Sequence, residues 1–160
     1  MEPADRYSQL LKEVFTTQQS HILIDALGHI IGATYDSTKN LQTEIKTRLP
    51  FDQTNTIVEI VKENQIDLND ATQAQEFFSE LVALFKTLPT VDLTLAYSPT
   101  YSELQQFSQW WRKNFKANIL LDITIDKNLI AGAMIGYDGT MKDYSLHKVL
   151  GTYVEEKHKQ

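Results

Sequence analysis

Apolar residues recur at helical spacing through the first half of the chain and at strand spacing after Pro89. Tyr7, Leu10, Leu11, Val14 and Phe15 repeat at i, i+3, i+4, i+7 and i+8, which predicts an amphipathic helix from about Ala4 to Thr16. Leu23, Leu27, Ile30 and Ile31 mark a second from about Gln19 to Thr34, weakened by Gly28 and Gly32. Asp36 and Ser37 are candidate caps for a third, whose seam of Leu41, Ile45 and Leu49 ends before Pro50. No strong breaker separates the second and third segments, so one long helix is the alternative reading. Asp52 is the candidate cap of a fourth helix through Ile57, Ile60 and Val61. Asp70 and Gln73 have capping-box spacing ahead of Phe77, Phe78, Leu81, Leu84, Phe85 and Leu88, and Pro89 stops that helix.

Beyond Pro89 the period changes. Val91, Leu93 and Leu95 alternate with Asp92 and Thr94 as in a strand; Ser98-Pro99 reads as a cap and first helical residue, followed by Leu104, Phe107, Trp111 and Phe115 on one stripe. Ile119, Leu121, Ile123 and Ile125 alternate with Leu120, Asp122, Thr124 and Asp126, one pleat face for the core and one mostly wet. A turn at Asp126-Lys127-Asn128 leads into a second strand, where Gly132 and Gly136 leave room for a neighbouring element to approach. Asp138-Gly139 suits a tight hairpin, because both residues tolerate positive φ. Asp143 or Ser145 then caps a tail helix with Leu146, Val149, Leu150, Tyr153 and Val154 on one stripe. The predicted class is α+β: a helical bundle over residues 1–89, then a small β-α-β-β-α domain with a C-terminal helix over 90–160. Its strand-helix-strand start favours a parallel pair with a right-handed crossover.

The chemistry in this pattern is sparse. The 160 residues include no cysteine, which excludes thiolate nucleophiles, thiolate metal sites and disulfides. A net charge of −6 disfavours nucleic acid and anionic lipid as partners and favours basic ones. The longest apolar stretch, Ile22 to Ile31, is interrupted by Asp25, Gly28 and His29 and is shorter than the ~20 residues a membrane span needs, so any membrane association is indirect. The acidic, proline-bearing N-terminus resembles neither a signal nor a transit peptide. His21, Asp25 and His29, spaced by four, drift only ~80° around a helix and are the sharpest metal candidate, but a solvated stripe has the same spacing. Gly132 to Gly136 has no Lys-Ser/Thr partner for a phosphate loop, Asp138-Gly139 lacks the oxygen ligands of a calcium loop, and Ser145 with His147 reads as a helix cap rather than a nucleophile. The expectation is no catalytic, cofactor or metal residue. Trp110 beside the buried stripe of Phe107, Trp111 and Phe115 is expected to be partly exposed and to serve a protein contact.

Leu129-Ile130-Ala131-Gly132, then an apolar strand, a turn, and Asp143-Tyr144-Ser145 backed by Leu146 and Leu150, resembles the end of the delta subunit of rotary ATP synthases, the oligomycin-sensitivity-conferring protein of mitochondria. That family typically shows a Leu-Ile-Gly-Gly run and an Asp-Gly-Ser step; here Ala131 stands in place of the first glycine and Tyr144 in place of the last. Asp5-Arg6-Tyr7-Ser8-Gln9-Leu10-Leu11 echoes the Arg-Tyr-Ala opening of the family's first helix. The resemblance implies a non-catalytic stator subunit without cofactors. Its bundle, shorter than the family's usual one, would sit on the alpha subunits of the catalytic head, and its C-terminal domain would engage the b-subunit stalk. The implied location is the cytoplasmic, inner face of an energy-transducing membrane, of bacterial type. A stalk subunit of archaeal or vacuolar rotary type is a related reading. The alternative from another class is a small α/β ligand-binding domain or enzyme with a helical appendage, which requires a concave site with convergent polar groups.

Overall fold

Helices fill the first part of the chain and a sheet the second in the computed structural model, which describes residues 6–36, 38–115 and 117–146. The chain divides into two compact units, Met1–Leu88 and Pro89–Gln160. Five helices make up the described part of the first: α1 (Ser8–Glu13), α2 (Thr17–Ala33), α3 (Leu41–Arg48), α4 (Phe51–Glu63) and α5 (Ala71–Thr87). In the second, β1 (Thr90–Leu95), α6 (Tyr101–Phe115), β2 (Leu120–Ile125), a 3-10 turn (Lys127–Leu129), β3 (Ala133–Tyr137) and β4 (Thr140–Asp143) follow in order. The fold is α+β.

The periodic apolar residues of the first unit converge on one core. Leu10, Leu11, Leu23, Leu27, Ile30, Ile45, Ile57, Phe78, Leu81 and Phe85 are all fully or almost fully buried in it. Tyr7 closes one end of this core, its ring 6.3 Å from that of Phe77, and burial pushes its phenol well above the ordinary value, with the Glu80 carboxylate adding to the shift. Arg6 lies over both rings and reaches Glu80 of α5 at 3.3 Å, so the Arg-Tyr pair of the first helix is a packing device.

Local chemistry sets the helix ends, and several differ from the expectation. The first helix stops at Glu13 because Thr16 and Gln19 form a complete capping box that starts α2 two residues before Gln19. The second and third segments are separate helices. Asp36 accepts from the Thr38 N–H and hydroxyl instead of capping, Asn40 caps α3 through Thr43 N–H, and Ser37 lies outside the described residues. Asp52 sits within the first turn of α4 rather than at its cap, because Pro50 occupies that position. Asp70 caps α5 through the N–H groups of Thr72 and Gln73, but the Gln73 side-chain Oε1 accepts from the Asp67 N–H rather than from Asp70, so the box is only half formed.

The sheet has four strands in the order β2-β1-β3-β4, one more than the expected β-α-β-β-α arrangement, because Thr140–Asp143 folds back from the hairpin and pairs with β3. β1 pairs in parallel with β2, from Thr90 opposite Leu120 to Leu95 opposite Ile125, and antiparallel with β3, from Asp92 opposite Gly136 to Leu95 opposite Ala133. Central position explains why Val91, Leu93 and Leu95 are all buried, whereas the edge strand β2 loses cover along its length: Leu121 is buried, Ile123 half-buried and Ile125 exposed. Leu120, expected on the wet face, is buried. Asp138 (φ 49°) and Gly139 (φ 71°) make the tight β3–β4 hairpin. The tail helix, with Leu150, lies outside the described residues.

Phe78→Ala empties the middle of the helical core and is expected to cost about 3–5 kcal/mol. Denaturant unfolding followed by the helical circular-dichroism signal measures that loss.

Candidate functional site

Thr100 and Glu103 start α6. The Thr100 N–H donates to the Glu103 carboxylate at 2.7 Å, its hydroxyl donates at 2.8 Å, and the Glu103 N–H returns a bond to Thr100 Oγ1. This box replaces the expected Ser98-Pro99 cap. Those bonds, with the Tyr97 hydroxyl at 3.1 Å, hold the Glu103 carboxyl below its usual range, and the same carboxylate pushes the Tyr97 phenol up.

So started, α6 presents Phe107, Trp110, Trp111 and Phe115 to the sheet and its margin. Trp111 is buried and meets Tyr137 of β3 edge-on, the ring centres 5.1 Å apart. Phe115, expected on the buried stripe, is 55% exposed. Each i, i+4 step rotates ~40° further around the helix, so by Phe115 the stripe has turned out from under the sheet. Phe115 remains stacked on Trp111 at 4.4 Å, with Trp110 edge-on to it at 5.9 Å. Trp110 is 51% exposed.

Between this aromatic face and the β3–β4 hairpin runs a groove of about 330 Å³. Trp110, Trp111 and Phe115 line one wall, Ile135, Tyr137 and Tyr144 the other, and Asp138 and Lys142 are its ionisable groups apart from the tyrosines. Most of its lining is aromatic or apolar, the kind of surface that suits apolar side chains of a partner.

The motif residues of the terminal segment meet beside this groove. Leu129 is buried and Ile130 is 65% exposed. Gly132 lies just before β3 rather than within it, at φ +94°, and a Cβ there would collide with the Tyr144 carbonyl oxygen and lie 2.9 Å from the Ser145 Cα. The Tyr144 N–H donates to Ala133 O at 2.8 Å and the Leu146 N–H to Ala131 O at 2.9 Å. The Asp143 carboxylate accepts from the buried Ser145 N–H at 2.7 Å. Leu146 is partly exposed. Ala131 and Tyr144 are not among the described residues at positive φ, so the two positions where glycine is replaced do not require one.

The remaining candidates stay apart from it. His21, Asp25 and His29 are all exposed on α2, and among the described residues no three such side chains are placed to hold a metal. A larger, polar recess of about 570 Å³ runs along the α2–α3 loop and the start of α5 in the first unit, lined by Tyr35, Asp36, Lys39, Asn40 and Asn69. At its margin the Asn40 side chain accepts from the Thr43 N–H at the start of α3, and Asp70 accepts from Thr72 and Gln73 at the start of α5.

A family model described as ATP synthase delta (OSCP) subunit matches residues 4–156. The chain belongs to that family. No curated protein matches it. Among solved structures, a chain of the Toxoplasma gondii mitochondrial ATP synthase hexamer, determined by cryo-electron microscopy, is similar at 12% identity and a TM-score of 0.38 over 85% of this chain and 86% of that one. As a delta (OSCP) family member the protein is a non-catalytic subunit of the ATP synthase peripheral stalk. Among its described residues no helix is long and apolar enough to cross a membrane.

The lowered Glu103 pKa gives this delta-family subunit a signed pH dependence. The Glu103 contribution to the start of α6 is present above the unfolded carboxyl value and disappears as pH falls through the lower folded value. Acid titration of the tryptophan fluorescence is expected to show that loss in the native chain, and Glu103→Gln is expected to flatten it.

Proposed function

We propose that the subunit ties two other parts of ATP synthase together, using its two units as separate domains: residues 1–89 grip the alpha subunits of the catalytic head and residues 90–160 grip the b-subunit stator. The observation that carries this reading is the exposed aromatic groove of the second unit. Half-exposed Trp110 and Phe115 opposite Tyr144 resemble the aromatic anchors that dominate protein interfaces, and the groove suits the apolar stripe of a partner helix. Charge supports a different partner for the first unit. Residues 1–88 contain 13 acidic and 7 basic side chains, whereas residues 89–160 are balanced at 8 of each, so a basic segment favours the bundle. The work of such a connector is to resist torque at the inner face of the membrane without inserting into it.

A tagged chain is expected to bring down alpha and b subunits of the synthase. Trp110→Ala is expected to weaken capture of b by about thirtyfold, the usual loss at an interface anchor, and to leave capture of alpha unchanged. Undiminished capture of b by Trp110→Ala, with α6 intact by circular dichroism, overturns the assignment of the groove.

A further inference from the structure

Ile130 holds a backbone conformation that its side chain opposes. Its φ of 60° and ψ of −56°, with the Ala131 N–H donating back to Leu129 O at 2.6 Å, make it the centre of a γ-turn of the rarer hand. For a β-branched residue this is a strained position, and at 65% exposure the side chain gains little burial there in return. Something else must hold the loop, and the neighbouring main chain does. Ala131 and Ala133 accept from Leu146 and Tyr144, alternate residues on each side of Gly132, while the missing Cβ of Gly132 lets the Tyr144–Ser145 peptide lie directly on it. The Asp143 carboxylate on Ser145 N–H fixes the bend that brings Tyr144 and Leu146 into line.

We infer that residues 129–133 and 143–146 form a strained clasp that opens as one unit, detaching Tyr144–Leu146 from the loop and letting Ile130 relax out of positive φ. The two bonds share one cause, since neither forms unless the backbone approaches at Gly132, so they break together. Strain at Ile130 favours the open state, and the buried Leu129 and Ser145 on either side favour the closed one. Because the Tyr144 side chain also lines the aromatic groove, opening removes part of one groove wall. The clasp is thus a conformational device beside the groove, and it exists whether or not a stalk helix docks there.

Amide hydrogen exchange on the full chain tests it, read by NMR at Tyr144 and Leu146 with the β1 amides as the internal standard. Ile130→Gly removes the opposition to the turn and is expected to slow both amides together by roughly tenfold. Gly132→Ala, which puts a Cβ into the Tyr144 carbonyl, is expected to speed both together. Unchanged or faster exchange in Ile130→Gly overturns the proposal, as does a response of one amide without the other. Where Gly132→Ala also loosens β1, the Ile130→Gly result alone decides.

Discussion

The described sheet of the second unit depends on β1, the six-residue strand that is hydrogen-bonded on both sides. Its parallel partner β2 arrives through α6 and its antiparallel partner β3 through the 3-10 turn, so both take their register from β1, and β4 takes its own from β3. Every odd-numbered side chain of that strand is buried, which no other strand of the sheet achieves. A one-residue slip would present Asp92 and Thr94 to the core instead, so the alternation of a single short run excludes competing registers. Trp111 of α6 meeting Tyr137 of β3 then fixes where the helix crosses the sheet face, and the groove is the space left beside it.

Element type was legible over most of the described chain, because helical spacing gives way to alternation at Pro89 and returns in α6, but β4 was not, since Thr140–Asp143 is four residues long and has no run of alternating apolar side chains. Element ends were less so. At Asp36, Asp52 and Ser98-Pro99 the expected capping residue lost to another a few positions away, Asn40, Pro50 or Thr100. In each case several cap-forming residues lay within a few positions, and the choice depends on where the preceding loop delivers the chain, which local composition does not encode. The Thr16–Gln19 and Thr100–Glu103 boxes did carry a signal in their spacing, a hydroxyl residue three before a Gln or Glu.

The candidate site was legible in part. Trp110 was expected at the margin of a buried stripe, and it is half-exposed there. The groove itself was not visible in the sequence, because its other wall comes from Ile135, Tyr137 and Tyr144, brought opposite α6 only by sheet pairing and the hairpin. Phe115 shows the same limit from the other side. Periodicity placed it with Trp111, but the helix turns it past the sheet, where it becomes part of the exposed face.

The resemblance at the end of the chain is carried by positions that differ in how much geometry they enforce. Ala131 and Tyr144 replace two glycines typical of the family, and neither stands at positive φ, so ordinary side chains fit. Gly132 stands at φ +94° with the Tyr144–Ser145 backbone against it, so no other residue fits without displacing the chain. The glycine that remains is therefore the one the fold demands. Its replacement would separate the loop from the strand end, whereas a side chain at position 144 adds a wall to the groove. On this view the departures from the family pattern are permitted by backbone conformation, and one of them supplies an aromatic residue to the surface on which the subunit's contact with the stalk is proposed.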